Sequence, residues 1–430
     1  MAKLFGTDGI RGKYGEKITE ALIKKIAYAL PIFSNPVVLV ASDTRESSMP
    51  LKNELVKSLK EVGFHVYDFN IISTPALIYL SLKYRTLAVM ITASHNPYTD
   101  NGIKVIKEGH KLTEDEIETL ESQIGKKLQV SGEDIPFVSI YEYLKLTQSF
   151  RINEDLKVAF DLSNGALSYL AKDILSAYNF SYKFINDKPD GTNINDKCGS
   201  VNIALLKKKI KSLDVQYLFS FDGDGDRVMA MDQDGNIYDG NHFVYIFSQY
   251  FNRISVLKNE NVVLTIDSNP GAVNSFIQKG YTVYQAEVGD SNVKEMMTLK
   301  NAPVGGEESG HVIVSKYSPT GDGLLNALLM LQIISETSES MKKLSKDLKI
   351  FPVLKENLSN YNPRALGSAR LNKIIQSHKD SILSKSLILV RKSGTENLLR
   401  ISVSTGDTIL DKEIMDEILK VCEELEWDTL

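Results

Sequence analysis

Three stretches of this 430-residue chain repeat one order of structural signals. Each has an apolar, β-rich run, an Asp at its end, a polar turn, a helical stretch and a second apolar run. The three begin with "VVLVASDTR" at residue 37, "KVAFDLSNG" at residue 157 and "VVLTIDSNP" at residue 262. Because strands that alternate with helices form parallel sheets covered by those helices, the pattern predicts three α/β domains of similar build. The alternative is that βαβ units look alike in any protein, and that Asp43, Asp161 and Asp267 simply cap helix N-termini.

The last part of the chain follows a different pattern. After "FPVLKENLSN" at residues 351–360, a helical stretch is followed by two apolar strands joined at "GTEN" and by a final helical stretch. This order is typical of a small α+β domain. A chain of this length suits two to four domains. We predict four, at residues 1–150, 151–252, 253–352 and 353–430.

Composition argues against several classes of protein. The net charge is -5 and no long block of like charge occurs, so we expect no nucleic-acid partner. No run of about 18 apolar residues is present, so we expect no membrane span. Cys198 and Cys422 lie far apart and form no CxxC motif, which disfavours a disulfide framework or a zinc site. We therefore expect a cytoplasmic protein.

The most specific chemical signal is "FDGDGDRV" at residues 221–228, directly after an apolar strand. Ligands of open α/β sheets bind at the carboxyl ends of strands. Asp222, Asp224 and Asp226 would repel one another unless a hard cation lay between them. An EF-hand is excluded, because Arg227 and Gln233 stand where its loop needs Gly and Glu. The loop predicts a divalent cation, Mg²⁺ first, and the alternative is a solvated acidic turn.

A second signal is "RKSGTENLLR" at residues 391–400. The turn offers hydroxyl groups and backbone N–H groups, and an arginine flanks it on each side. Concave donors together with bidentate cations suit a phosphate group. The residues concerned are Arg391, Ser393, Gly394, Thr395 and Arg400. The alternative is an ordinary β-turn with surface arginines.

Two further stretches are weak signals by themselves. "GGEESGH" at residues 305–311 offers Glu307, Ser309 and His311, which are donors and acceptors of the kind that sugar hydroxyls require. "FGTDGIRG" at residues 5–12 has glycines beside Arg11, which could bring a cation into a cleft.

The stretch "TASHNP" at residues 92–97 ends the apolar run "LAVMI" with Ser94, His95 and Asn96. Ser94 is not in a G-x-S-x-G elbow, which disfavours a serine hydrolase of that type. No G-x-x-x-x-G-K-[ST] run occurs, which disfavours a P-loop kinase. Alone, Ser94 would be read as a helix cap or turn residue. A metal loop and a phosphate-binding turn elsewhere in the chain favour a reactive role.

Taken together and in this order, these stretches resemble the α-D-phosphohexomutase family along the whole chain. The resemblance implies three similar α/β domains, with mixed, largely parallel sheets, and a small C-terminal α+β domain around one central cleft. It also implies transfer of a phosphoryl group between the 6- and 1-oxygens of a hexose. A rival is a sugar-phosphate binding protein without catalysis, which would keep the phosphate turn but would not need the metal loop.

The resemblance implies that Ser94 carries the phosphoryl group and passes it to the monophosphate, which gives a 1,6-bisphosphate. Lys104 is the candidate general acid or base, with His95, Arg11 and Arg227 as polarising neighbours. Three ligand sets are implied. They are Ser94, Asp222, Asp224 and Asp226 for Mg²⁺; Arg391, Ser393, Gly394, Thr395 and Arg400 for the distant phosphate; and Glu307, Ser309 and His311 for ring hydroxyls.

Within the family, "FGTDGIRG", "GTNINDKCGS" (191–200) and "SPTGDGLLNALLML" (318–331) are similar to the subgroup that acts on glucosamine phosphate. The resemblance therefore implies interconversion of glucosamine 6-phosphate and glucosamine 1-phosphate, a step toward UDP-N-acetylglucosamine. Glucosamine 1,6-bisphosphate would be the intermediate and activator. The alternative is a mutase of glucose or mannose phosphates with the same mechanism. The expected partners are small sugar phosphates, and the expected state is a monomer or homodimer.

Overall fold

The computed structural model describes residues 4–6, 8–132, 135–254, 259–359, 361–381, 385–392 and 398–423. The first part of the chain forms six strands: β1 Ile10–Lys13, β2 Val37–Ser42, β3 His65–Ile71, β4 Leu87–Ile91, β5 Asp100–Lys107 and β6 His110–Lys111. Its helices are α1 Glu20–Ala29, α2 Ser48–Glu61, α3 Thr74–Tyr84, α4 Glu114–Glu121 and α5 Tyr141–Thr147, with a 3₁₀ turn at Leu30–Phe33. The sheet order is β1-β5-β4-β2-β3, with β6 beside β5.

The second part forms strands β7 Lys157–Asp161, β8 Ser181–Ile185, β9 Tyr217–Phe221, β10 Val228–Asp232 and β11 Ile237–Tyr238. Its helices are α6 Leu167–Leu175, α7 Lys207–Leu213 and α8 Gly240–Arg253, with a 3₁₀ helix at Ser200–Leu206. The third part forms β12 Asn261–Thr265, β13 Thr282–Ala286, β14 Val304–Gly306 and β15 Val312–Val314. Its helices are α9 Pro270–Gln278, α10 Asp290–Lys300, α11 Gly323–Thr337 and α12 Met341–Leu344.

These three sheets repeat one arrangement. A central strand lies between two parallel neighbours, and the second neighbour pairs with an antiparallel strand. The order is β3-β2-β4-β5 in the first sheet, β8-β7-β9-β10 in the second and β13-β12-β14-β15 in the third. All residues of β2 are buried, as expected for a central strand with helices on both faces. The predicted trio of similar α/β units is confirmed, while their boundaries stay predictions.

The C-terminal part is a smaller α+β unit. Strands β16 Leu354–Leu358, β17 Leu387–Lys392 and β18 Leu399–Ser404 form an antiparallel sheet in the order β16-β18-β17. Helices α13 Ala369–Ser381 and α14 Thr408–Glu423 pack against each other, and α14 packs on β18. This unit has its own apolar core, whereas one continuous core runs through the first three units.

Because the first three units share a core, their loops meet and bond through the backbone. The N–H of Thr74 donates to the carbonyl of Asp224 at 2.9 Å. The N–H of Val228 donates to the carbonyl of Gly310 at 3.1 Å, and that of Gly323 to the carbonyl of Gly225 at 3.0 Å. The "FDGDGDRV" loop is thus held from both sides by the first and third units.

The three matching aspartates do not cap the helices that follow them. Those helices have Ser47, Ala166 and Asn269 at their N-caps. Asp43 and Asp161 are instead buried among hydrogen-bond donors, and Asp267 lies at a cavity. The helix-cap alternative is therefore wrong. The carboxylates accept hydrogen bonds from other groups, such as Thr92 for Asp43, Ser220 for Asp161 and Thr265 for Asp267.

Within the described part of the chain, no helix combines the length and apolar character needed to span a membrane.

Candidate active site

Ser94 lies in the loop after β4, and its side chain is buried. Its backbone is left-handed, with φ at 52°, which is rare for a residue other than glycine. Its hydroxyl donates to Asp222 Oδ2 at 2.6 Å and lies 3.3 Å from His95 Nδ1. Such unusual backbone geometry is found where a loop aims a side chain at a site. The structure therefore brings the "TASHNP" serine directly to the acidic loop of the second unit.

The three carboxylates after β9 converge. One ligand oxygen from each of Asp222, Asp224 and Asp226 lies within 4.8 Å of the others, and all three residues are buried. Asp224 Oδ1 and Asp226 Oδ1 are buried without a hydrogen-bond partner. Burial, with the charges of Asp226 and Asp224, holds the pKa of Asp222 well above its usual range. A divalent cation would bind the two unpartnered oxygens and reduce the repulsion between the three carboxylates. The donor set therefore fits a divalent cation.

Lys104 lies on β5 and is buried beside the acidic loop. Its ammonium group donates to Asp224 Oδ2 at 2.7 Å and lies 3.5 Å from both Asp226 Oδ2 and Asp8 Oδ1. Burial alone would favour the neutral amine, but Asp224, Asp8 and Asp226 together raise the pKa of Lys104 above its usual range. The side chain is therefore a cation in this arrangement.

Two arginines and a histidine complete this cluster around Ser94. Arg11 pairs with Asp8, and Arg227 Nε lies 3.9 Å from Asp226 Oδ1. Both Arg11 Nε and Arg227 Nε are buried donors without a partner, so each is available to an anion. Burial, with the charges of Arg227 and Arg11, lowers the pKa of His95 to about 3. His95 is therefore a neutral ring near Ser94 at physiological pH.

The "GGEESGH" stretch covers the end of β14 and the turn that leads to β15, and it meets the acidic loop through the Val228–Gly310 backbone bond described above. Glu307 Oε1 accepts a hydrogen bond from the Gly289 N–H at 3.0 Å, and burial raises the pKa of Glu307. Ser309 Oγ and both ring nitrogens of His311 are buried and unpartnered. These polar atoms need a ligand or water to satisfy them.

A cavity of about 920 Å³ separates this turn from the C-terminal sheet. Ser309 and Glu308 line it on one side, and Arg391 and Arg400 line it on the other. The two arginines are directly paired across β17 and β18. Ser393, Gly394 and Thr395 lie outside the described residues. Of the predicted phosphate turn, the structure thus shows two cations at a cavity of ligand size.

Several residues of the site gave no clear signal in the sequence. The Thr74 hydroxyl donates to Asp224 Oδ2 at 2.6 Å, from the first turn of α3. Lys111 donates to both Asp8 and Asp290, which ties the first unit to the third. His311 Nε2 lies 3.7 Å from Asp290 Oδ2. Asp8 stood in the quoted "FGTDGIRG" stretch, but nothing in "STPA" or "EGHKL" marked Thr74 or Lys111.

Comparison with known families agrees with this arrangement. The model described as "Phosphoglucomutase/phosphomannomutase, alpha/beta/alpha domain I" matches residues 2–131. The models for domain II and domain III of the same family match residues 139–235 and 239–351. The chain belongs to the phosphoglucomutase/phosphomannomutase family. The resemblance to α-D-phosphohexomutases is confirmed, and the chain is an enzyme of the isomerase class.

Relatives within this phosphohexomutase family cover almost the whole chain. The phosphoglucosamine mutase of Carboxydothermus hydrogenoformans is 35% identical over 99% of this chain and 100% of its own. A phosphoglucomutase/phosphomannomutase family protein from Burkholderia thailandensis superposes with a TM-score of 0.81 at 21% identity, covering 96% of each chain. The N-acetylphosphoglucosamine mutase of Aspergillus fumigatus, solved in complex with GlcNAc-6P and magnesium, gives 0.64 at 14% identity, covering 94% of this chain and 99% of that one. The two structures show that the fold is shared.

Proposed function

We propose that the enzyme interconverts glucosamine 6-phosphate and glucosamine 1-phosphate, with Ser94 as the carrier of the phosphoryl group. The observation that carries this proposal is the 2.6 Å contact between Ser94 Oγ and Asp222 Oδ2, inside a cluster that also holds three cationic side chains. A dianionic phosphoryl group on Ser94 would lie among Lys104, Arg11 and Arg227. Catalysis of phosphoryl transfer depends mainly on such positioning and charge stabilisation.

Mg²⁺ is the proposed metal, and Asp222, Asp224 and Asp226, with an oxygen of phosphorylated Ser94, would hold it. Bound there, it would neutralise charge on the transferring phosphoryl group. The Aspergillus fumigatus enzyme of the same fold was solved with magnesium. The two unpartnered carboxylate oxygens in the present chain support the same metal here.

The reacting sugar oxygen must exchange a proton with the enzyme, and we propose Lys104 as its partner. The cationic form of Lys104 suits protonation of the oxygen that leaves the phosphoryl group, and the neutral amine formed by that donation would take up the proton of the attacking hydroxyl group. Arg11 and Arg227, each with a buried free N–H, would hold the phosphoryl oxygens, and the neutral His95 would contact Ser94. Phosphorylated Ser94 gives its phosphoryl group to the free hydroxyl of the sugar monophosphate, which forms the 1,6-bisphosphate. The bisphosphate then returns its other phosphoryl group to Ser94.

The non-reacting end of the substrate would lie in the cavity between the third unit and the C-terminal sheet. Arg391 and Arg400, with Ser393, Gly394 and Thr395 of the adjacent turn, are proposed to bind its phosphate. Glu307, Ser309 and His311 are proposed to bind ring hydroxyls in either orientation. Binding energy from this distant end then positions the reacting end against Ser94.

The choice of glucosamine rests on the curated relatives and on the charge of the cavity. Asp239, Asp267 and Glu308 all line it, and burial together with the first two charges contributes to a raised pKa of Glu308. Glu308 Oε1 lies 3.5 Å from Lys355 Nζ, and both side chains remain partly accessible to solvent. These carboxylates lie beside the cations Arg391, Arg400 and Lys355, and a carboxylate close to carbon 2 of the bound sugar would favour an ammonium group over a neutral hydroxyl.

Intact-mass spectrometry and kinetics test the proposal together. The enzyme incubated with glucose 1,6-bisphosphate should gain about 80 Da, one phosphoryl group, on Ser94. Ser94→Ala should gain nothing and should not turn over. Coupled assays should give a higher kcat/KM for glucosamine phosphate than for glucose or mannose phosphate. Equal or higher values for the latter would favour a phosphoglucomutase or phosphomannomutase, and an active Ser94→Ala enzyme would overturn the carrier role.

A further inference from the structure

The loop that holds Ser94 is anchored by a buried arginine that the proposed chemistry does not use. Arg45 follows β2, and its guanidinium group is buried. It donates to the carbonyl oxygens of Ser94 and Asn96 at 2.9 Å, of Asp100 at 3.0 Å, and of Pro97. Four peptide groups from one loop thus direct their negative ends at one cation. Because the guanidinium fork is planar and rigid, it fixes the relative positions of those groups.

Asp43, the aspartate that ends the first repeated strand, holds Arg45 from the other side. Its Oδ2 accepts from Arg45 Nε at 2.8 Å and from the Thr92 hydroxyl at 2.7 Å. Its Oδ1 accepts from the Arg45 N–H at 3.1 Å and from the Ser48 hydroxyl at 2.7 Å. All four accepting positions of this buried carboxylate are filled, which is the condition for burying a charge without a large penalty.

The Thr92 hydroxyl connects Asp43 to the backbone of Ser94. Its hydroxyl donates to Asp43 and accepts a hydrogen bond from the Ser94 N–H at 2.9 Å. Ser94 is therefore fixed at both its N–H and its carbonyl by groups that lead back to Asp43. From the second unit, Asn195 Nδ2 also donates to the Ser94 carbonyl at 2.9 Å. These contacts explain how the left-handed backbone of Ser94 is maintained.

We propose that Asp43, Arg45 and Thr92 form a positioning device that aims the Ser94 hydroxyl at the acidic loop. The inference rests on the proposed function of Ser94. The device contacts the backbone of Ser94 and leaves its hydroxyl free to face the acidic loop. Displacement of a reacting atom by about 1 Å can cost about 100-fold in rate, so loss of the device should lower kcat far more than it changes KM.

The matching aspartate of the second unit shows what a purely structural role looks like. Asp161 is buried and also accepts four hydrogen bonds, from Ser163, Asn186, Gly199 and Ser220. None of these contacts reaches a residue with a proposed role in the reaction. The Asp43 contacts differ because two of its partners, Arg45 and Thr92, bond the backbone of Ser94.

Thr92→Val tests the device, since it removes both hydrogen bonds of the hydroxyl and keeps the branched shape. Ser48→Ala is the matched control: it removes a hydrogen bond to the same carboxylate, and one accepted from Asn101 Nδ2 at 3.0 Å, while the hydrogen bonds of Ser94 stay in place. We expect Thr92→Val to lower kcat, and the single-turnover rate of Ser94 phosphorylation by glucose 1,6-bisphosphate, by about 10- to 100-fold. KM should be little changed, Thr92→Ser should restore the rate, and Ser48→Ala should stay near wild type. Thermal unfolding of all variants shows whether lost activity merely follows lost stability.

A kcat for Thr92→Val equal to that of Ser48→Ala would overturn the inference. If Thr92→Val does not fold, Thr92→Ala takes the same test, because it removes the same two hydrogen bonds with a smaller side chain. A wild-type rate in Thr92→Ala would then overturn the inference. Ser94→Ala separates the two proposals. An active Ser94→Ala enzyme removes the carrier role itself, whereas an inactive one beside a normal Thr92→Val removes only the positioning device.

Discussion

Thr74→Val is the perturbation that most directly tests how the tertiary structure builds the metal site. The Thr74 hydroxyl donates to Asp224 Oδ2 at 2.6 Å, and both residues are fully buried. A hydrogen bond to a charged group contributes about 1.5–3 kcal/mol. Lys104 donates to the same oxygen at 2.7 Å and remains in the variant, so the lower part of that range applies. A loss of about 1.5–2 kcal/mol corresponds to about a 10- to 30-fold weaker site.

The assay is the initial rate as a function of free Mg²⁺, with calorimetric titration of Mg²⁺ as a readout independent of turnover. The half-saturating Mg²⁺ concentration should rise by about 10- to 30-fold, in line with the usual effect of removing a partner of a metal ligand. The rate at saturating Mg²⁺ should recover toward wild type, because every proposed ligand is still present.

Thr86→Val is the matched control. Thr86 is buried in the same unit, and its hydroxyl has no hydrogen-bond partner among the described residues. The same substitution there removes a hydroxyl without removing a contact. Equal Mg²⁺ dependence in the Thr74 and Thr86 variants would refute the reasoning that Thr74 orients a metal ligand.

Four further predictions follow from the same site. Turnover should stop in EDTA and return when Mg²⁺ is added, whereas added Mg²⁺ should not restore turnover in the Asp222→Asn/Asp224→Asn protein. Activity that survives chelation in that variant would contradict the metal assignment. Arg391→Ala should raise KM by about 10- to 150-fold, the loss expected for one charge-assisted phosphate contact, while Ser94 still accepts a phosphoryl group from the bisphosphate. An unchanged KM for every sugar phosphate would show that the distant phosphate binds elsewhere. Glu308→Gln should lower kcat/KM for glucosamine phosphate more than for glucose phosphate, because binding common to both substrates cancels, and an unchanged ratio would remove its role in selectivity. Lys111→Met should lower the unfolding temperature and kcat/KM, since Asp8 and Asp290 lose their shared cation. Lys107→Met, which loses a half-buried pair with Glu116 outside the site, is the control, and equal effects would show that the contacts of Lys111 are unimportant.

The sequence predicted the features that are local along the chain. Asp222, Asp224 and Asp226 occupy one loop two residues apart, so their convergence needs only that loop to turn tightly. The repeated strand, turn and helix signals likewise predicted three similar sheets, because hydrophobic periodicity is a local property. The order of the motifs was also enough to indicate the family.

The sequence could not predict partners that come from distant segments. Thr74 is separated from Asp224 by 150 residues, and Lys111 from Asp290 by 179. The proposed turn of Ser393, Gly394 and Thr395 lies outside the described residues and stays a prediction from the sequence alone.

The difference between what the sequence determines and what the packing determines is clearest at Asp43, Asp161 and Asp267. All three end an equivalent strand in the sequence, yet Asp43 anchors the loop of Ser94, Asp161 anchors a structural turn and Asp267 lies at the cavity, 3.8 Å from Arg391. The local pattern determined that a carboxylate would stand at each strand end. Packing between units determined its role, because a carboxylate takes its function from the donors around it, and those donors come from whichever loops the fold brings near.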